Sequence, residues 1–253
     1  MGSTKKLTSI VAVLAASIAL PGAANAADLL EPPVIEVPEV VTKSKSGWYI
    51  RGDISYDFED IDDPYALTNV PTRFRSADID ESFNLGVGIG YQVSEWFRVD
   101  ATLEYVFGAD FHGTFDCGVC AGGITNETAE LSKLRLLANA YADLGTFGGL
   151  TPYVGVGIGG TYLQVEDYTQ DFAVPPQNPR HRDEESWRFT YALHAGFSYA
   201  MTHNVTLDLG YTYANMEGGA FAGYSIDTNI SQPQIYDEGI ENHVIRAGLR
   251  YHW

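Results

Sequence analysis

Residues 83–93 alternate without interruption. Phe83, Leu85, Val87, Ile89, Tyr91 and Val93 fall on one side, and Asn84, Gly86, Gly88, Gly90 and Gln92 on the other. A period of two sustained this long is a β-strand with two chemically different faces. The same period recurs over 47–58, 97–107, 131–144, 151–165, 187–201, 205–216 and 243–253. The connections alternate in length. Residues 59–82, 108–130, 166–186 and 217–242 are long and polar, whereas 94–96, 145–150 and 202–204 are tight turns. Strands ordered this way leave two open edges unless the last closes on the first. The expected fold is therefore all-β: an eight-stranded antiparallel up-and-down transmembrane β-barrel over 47–253.

The two ends of the chain decide which face meets which solvent. Lys5 and Lys6 precede an apolar run over 7–20, Pro21-Gly22 breaks it, and Ala24-Asn25-Ala26 has the form of a cleavage site. Residues 1–26 read as a secretory signal peptide, too short and wrongly flanked for a spanning helix. Residues 27–46, with Pro32, Pro33 and Pro38 among acids and valines, read as an extended periplasmic tail. At the other end Trp253, Tyr251, Leu249, Ala247 and Ile245 alternate with His252, Arg250, Gly248, Arg246 and Val244. A secreted chain whose last strand sets aromatics against arginines is expected to turn the apolar face to lipid and the arginines into a closed lumen.

Aromatic placement agrees. Trp48, Tyr91, Phe97, Tyr199, Tyr251 and Trp253 sit at the turn ends of their strands. Tyr56, Phe58, Phe83, Tyr105, Phe107, Trp187, Phe189, Tyr211 and Tyr213 sit at the loop ends, with mainly aliphatic residues between. Two aromatic girdles around an aliphatic belt belong at two membrane interfaces. A water-soluble barrel would carry its apolar residues inside.

The net charge of −18 has the wrong sign for a nucleic-acid binder. Most of it falls in the four long connections, which hold 22 acids against Arg73, Arg75, Arg180 and Arg182. The inward faces are nearly balanced. The expected lumen charge network comprises Arg51, Asp53, Asp57, Arg98, Asp100, Glu104, Arg135, Arg188, Asp208, Arg246 and Arg250, with Lys133 and Asp143 beside it. An eight-stranded barrel is just wide enough to be filled by its own side chains, so these charges are expected to pair; a narrow conducting path is the alternative. Counted from the periplasmic ends, Asp53 reaches the height of Gly248, which predicts a seam pair with Arg250 or Arg246. Asp57 is expected to reach Arg246 or a polar neighbour, and Glu104 to meet Arg135. Inward glycines on 83–93 and 151–165 leave room for long side chains.

Cys117 and Cys120 share one long connection, and in an oxidising compartment a local disulfide is the simplest outcome. No metal site or cofactor is expected, since the acidic connections lack EF-hand spacing and the two cysteines lack a second ligand pair. No nucleophile–His–acid spacing points to an enzyme.

With Gly47-Trp48-Tyr49-Ile50-Arg51-Gly52, Pro152-Tyr153-Val154-Gly155-Val156-Gly157 and the aromatic terminus in place, the chain resembles small eight-stranded outer-membrane barrels of the OmpA transmembrane-domain and opacity-protein type. The porin-like surface proteins of alphaproteobacteria are similar in pairing such a barrel with an Ala-Asp-leading, proline-bearing N-terminus. The resemblance covers about 47–253. It implies the outer membrane of a Gram-negative bacterium as location. It implies outer-membrane lipid, lipopolysaccharide and the barrel-assembly machinery as partners, with Leu249, Tyr251 and Trp253 in the assembly signal. The expected role is structural and surface-interacting through acidic extracellular loops. The alternatives are a narrow small-solute channel and an adhesin that takes a host or surface ligand through its loops.

Overall fold

A computed structural model describes residues 46–66, 72–116, 123–173, 176–177, 181–223 and 234–253. The signal peptide, the tail up to residue 45, and Cys117 and Cys120 lie outside the described residues. The strands are β1 (Gly47–Asp62), β2 (Tyr65–Ala66), β3 (Thr72–Ile79), β4 (Ser82–Gln92), β5 (Phe97–Asp116), β6 (Ile124–Asp143), β7 (Leu150–Ala173), β8 (Pro176–Gln177), β9 (Glu184–Ala200), β10 (Val205–Ala222) and β11 (Ile235–His252). Eight of them close a ring: β1 pairs with β4, β4 with β5, and so on through β6, β7, β9, β10 and β11, which returns to β1. All these pairings are antiparallel. Asp53 stands between Gly86 on β4 and Gly248 on β11.

At lipid height the outer face is aliphatic and open. Ile50, Ile54, Leu85, Val87, Ile89, Leu103, Leu136, Val156, Ile158, Leu193, Leu209, Ile245 and Leu249 are all exposed there. The aromatic residues border this band, and Leu249, Tyr251 and Trp253 point outward at its periplasmic edge. The inner face is polar and buried. Glycines make the packing possible. A Cβ at Gly88 would lie 2.8 Å from Arg51 Cγ, and one at Gly90 2.3 Å from the Tyr49 ring. Arg51 and Tyr49 thus each lie across a neighbouring strand that has no side chain there.

The long connections correct the sequence reading. Residues 59–82, 108–130, 166–186 and 217–242 were expected to be loops. Instead β5, β6, β7, β10 and β11 run far beyond the upper girdle, and β3 pairs with the extended part of β5 through Phe74–Phe115 to Ile79–Phe111. The barrel wall therefore continues out of the membrane. Several strands change phase on the way. The β5–β6 register slips between Val106 and Ala109, so Ala109 and Phe111 turn inward while Asp110 and His112 turn outward. On β7, Val165 and Tyr168 are both buried, and the two residues between them, one of them Asp167 with a φ of 50°, are exposed. Such β-bulges insert one residue and re-aim the side chains that follow; another lies on β10, where the β10–β11 register slips between Ala220 and Ala222. On β11 the inward series moves from Asp237 to Ile240 across Gly239, at a φ of 149°, while its register with β10 runs on unbroken. Above them the inside is apolar: Ile79, Phe111, Leu131, Leu163, Val165, Tyr168, Met216, Phe221, Ile235 and Ile240 form one buried cluster.

Candidate functional site

The interior is stacked in layers, and each is built by side chains from several strands. The lowest layer is near the periplasm. Arg250 donates to both oxygens of Asp208, from Nε at 2.5 Å and Nη2 at 2.9 Å, and Nη2 also reaches Ser198 at 2.8 Å. The Arg98 guanidinium lies 4.4 Å from the ring centroid of Tyr141 and 4.6 Å from that of Tyr153, two rings that meet edge to face, with Asp143 at 3.2 Å. A cation at such a corner is attracted by both rings while its edge still meets a carboxylate.

The next layer centres on Arg51. It donates to both oxygens of Asp53 at 2.8 Å and to Asp100 at 2.9 Å. Asp100 also accepts from Tyr49 and Asn139. Arg246 is more loosely held: its Nε is 3.9 Å from Asp53, and Nη2 is 3.4 Å from the Tyr153 hydroxyl. The seam neighbour of Asp53 is therefore Arg246, its main partner is Arg51 on its own strand, and Arg250 is turned away to Asp208. His194 joins the layer through Thr212 and Asn139.

Higher up, Arg135 donates to Glu104 at 2.9 Å and to Asn242 at 2.9 Å, with Asp57 at 3.4 Å. Asp57 thus meets Arg135 and the polar neighbour Asn84; of its two expected partners it takes the polar neighbour and not Arg246. Ser55 donates to Glu104. Lys133 pairs with Glu59 directly beneath the apolar cluster. Arg188 stands apart from the lumen network. It holds Asp237 through Nη1, at 2.8 and 2.7 Å, and the Ala220 carbonyl through Nη2, in the extension.

Sequence reasoning missed Glu59, Glu127 and Asp237, which were counted among the loop acids. All three are buried. Glu59 could have been found by continuing the inward count on β1 past Asp57. Asp237 and Glu127 belong to strands whose upper parts were read as loop.

Glu127 sits inside the extension, above the membrane-spanning part of β6. It accepts from Thr125 Oγ1 at 2.7 Å, Tyr168 OH at 2.7 Å and Gln170 Nε2 at 3.2 Å. Among the described residues it makes no ion pair. Burial pushes its carboxyl up to about 7, against the pull of the three donors. His181, whose ring meets that of Tyr168 at 4.9 Å, has its imidazole shifted down by burial.

The outer surface of the extension is acidic. Asp62, Asp63, Asp78, Asp80, Asp110, Asp116, Glu130, Glu166, Asp167 and Glu238 are exposed there, with Arg73 bridging Asp63 and Glu238. Asp80, Asp110 and His112 bring one potential ligand atom each within 4.8 Å of one another. All three are exposed, and among the described residues no further His, Cys, Asp or Glu joins them.

A barrel that is apolar outside, charged inside and bordered by aromatics at lipid height is an outer-membrane β-barrel. The sequence profile of the outer membrane protein β-barrel domain matches residues 11–252. An uncharacterized protein of Brucella abortus (strain 2308) is 32% identical, over 98% of this chain and 99% of that protein. A protein of Rickettsia bellii (strain OSU 85-389), whose name marks it a candidate adhesin, is 23% identical over 67% of this chain and 75% of its own length. The crystal structure of Neisserial surface protein A covers 82% of this chain and 98% of its own, at 15% identity and a TM-score of 0.46. The chain belongs to the outer membrane protein β-barrel family, and its place is the outer membrane of a Gram-negative bacterium.

Proposed function

We propose that the protein is a non-conducting, non-catalytic outer-membrane barrel whose work is done by the outer surface of its extracellular extension. One observation carries this reading. The lumen charges pair with one another, and the apolar cluster around Phe111, Leu131 and Leu163 fills the barrel directly above them. An ion entering from outside would have to cross a buried apolar layer and then displace paired charges, each step costing several kcal/mol. The test is conductance of the refolded protein in a planar bilayer. No steady openings are expected; openings that persist at constant voltage would overturn the reading.

A second reading is favoured by the acidic exterior and by the name of the Rickettsia relative: attachment of a host or surface ligand through the extension. The ligand chemistry that fits is cationic. Binding should weaken when Asp62, Asp63 and Glu238 are neutralised together and should fall with added salt. Binding unchanged by both treatments would rule the reading out.

A further inference from the structure

The wall of the extension is not equally knit all the way round. β9 and β10 pair as far as Thr190–Met216. Above that point β9 keeps its pairing with β7, up to Val165–Glu184, and β10 keeps its pairing with β11, up to Ala222–Ile235. At the other boundary β1 leaves β4 at Asp57–Ser82 and continues along β11. There β3 is joined to β2 at the top, through Tyr65–Arg73 and Ala66–Thr72, with a further bond from Phe74 N to the Pro64 carbonyl. The extension is therefore two sheets. One is β3-β5-β6-β7-β9, the other β1-β11-β10, and β2 links them. The apolar cluster lies between the two. Phe221 of the second sheet sets its ring 4.8 Å from that of Phe111 and 6.3 Å from that of Tyr168, both of the first.

Arg188 makes the central bonds across the β9–β10 seam. From β9 its Nη2 donates to the Ala220 carbonyl of β10 at 2.5 Å, and its Nη1 to both carboxylate oxygens of Asp237 on β11. Its Nε turns back to Ser186 on its own strand. The guanidinium can cross because Gly219 has no side chain; a Cβ there would lie 3.2 Å from Nε. Above it, Gly223 N donates to the Arg182 carbonyl at 3.2 Å, and His181 Nδ1 to the Gly223 carbonyl at 2.7 Å. A backbone ladder spreads cohesion over many residues; here one buried guanidinium stands where the rungs stop. Contacts in the apolar cluster are non-directional, and a region with few directed bonds is the first to open. We infer that the extension is a clamp of two sheets that opens along the β9–β10 seam, with Arg188 as its latch. Opening parts β10 and β11 from β7 and β9, and uncovers Phe111, Tyr168 and Phe221 to the outside. The pairing below Thr190–Met216 stays intact.

The experiment measures distances between pairs of nitroxide labels in the refolded full chain, with Cys117 and Cys120 replaced by serine. One pair, at the exposed Glu185 and Glu217, spans the seam. The control pair, at the exposed Glu130 and Glu166, sits on residues that face each other across β6 and β7. Each is measured with Arg188 in place, in Arg188→Met and in Asp237→Asn, which keeps the arginine and removes its charged partner. The expected result is a longer-distance component across the seam that grows several-fold in Arg188→Met and less in Asp237→Asn. The control distance stays unchanged, and all three proteins resist SDS without boiling. A seam distance that is the same in all three would overturn the latch. Equal broadening of the control pair would show that the extension loosens as a whole and does not part along a seam. If neither variant reaches the SDS-resistant form, Arg188 supports the entire barrel, and the clamp is equally overturned.

Discussion

The lower and upper halves of this barrel solve the same packing problem in opposite ways. At lipid height the outside is Leu, Ile and Val, and the inside is arginine, carboxylate, tyrosine and glycine. Above the membrane the outside is carboxylate and the inside is mainly apolar, with Phe111, Leu131, Met216, Phe221 and Ile235 beside the buried Glu127 and the Arg188–Asp237 pair. One continuous wall is a membrane barrel below and a water-soluble barrel above. The solvent outside sets the sign. Lipid takes the apolar face, so the polar face must satisfy itself within. Water takes the polar face, so the apolar face is buried by the hydrophobic effect. On β5 a bulge makes the exchange, turning the odd-numbered series from lipid at Leu103 to the interior at Phe111; on β6 the inward series runs on unbroken and changes from Arg135 and Lys133 to Leu131.

The contrast can be broken most forcefully at its lower half. Asp208→Ala strips Arg250 of its carboxylate, leaving a buried charge uncompensated at a cost of about 3–5 kcal/mol, read by urea unfolding of the refolded barrel. A loss below about 1 kcal/mol is what a solvated pair gives, and would mean that the lumen is wet throughout. Phe111→Ala attacks the upper half instead. Lost burial and a cavity cost about 3 kcal/mol, but the damage should stay local. Proteolysis of the extension should quicken while the barrel still resists SDS without boiling. If SDS resistance is lost as well, the two halves are one cooperative unit.

Acidity sharpens the contrast further. A buried carboxyl raised from 4.5 to about 7 favours the folded extension below about pH 4.5, and that advantage is lost as pH rises through 7. Over this window, at about 1.4 kcal/mol per pH unit, the change is roughly 3 kcal/mol. His181 acts in the opposite direction: its lowered imidazole supports the fold above its ordinary value and withdraws support as pH falls. Protection of the Tyr168 and Phe111 amides against hydrogen exchange, taken relative to the intrinsic rate at each pH, should therefore be greatest in mild acid. Glu127→Gln should remove the loss of protection towards alkaline pH and leave the acid limb. An unchanged pH profile in that variant would show that Glu127 is not the group responsible. The smallest effect is expected at Arg73→Ala, where the ion pairs with Asp63 and Glu238 are exposed; stability should not change measurably.

How much could be read from the sequence divides along the same line. At lipid height alternation is unbroken, so inward and outward positions follow by counting, and Asp53 stands opposite Gly248 where the count from the chain end puts it. The partner of each charge did not follow, because a long arginine reaches several carboxylates and the choice rests on three-dimensional packing. Arg250 reaches Asp208, on the strand next to it, and Arg51 takes Asp53 on its own strand. The extension was illegible for a different reason. Its outer face is as polar as a loop, and the phase slips at Val106–Ala109 and at Ala220–Ala222 hide the period of two. Phe111, Leu131 and Ile240 were in plain view, but without the bulges they could not be assigned to one interior.

The inversion itself is tested most directly by nitroxide scanning along β5, in a background with Cys117 and Cys120 replaced by serine. Labels at Leu103, Asp110, Phe111 and His112 are compared for collision with lipid-soluble oxygen and with a water-soluble nickel chelate. The expected result is oxygen access at Leu103, chelate access at Asp110 and His112, and access to neither at Phe111. If Phe111 meets the chelate while Asp110 and His112 are shielded, the strand does not change phase above Val106, and the buried apolar layer that closes the lumen is not there.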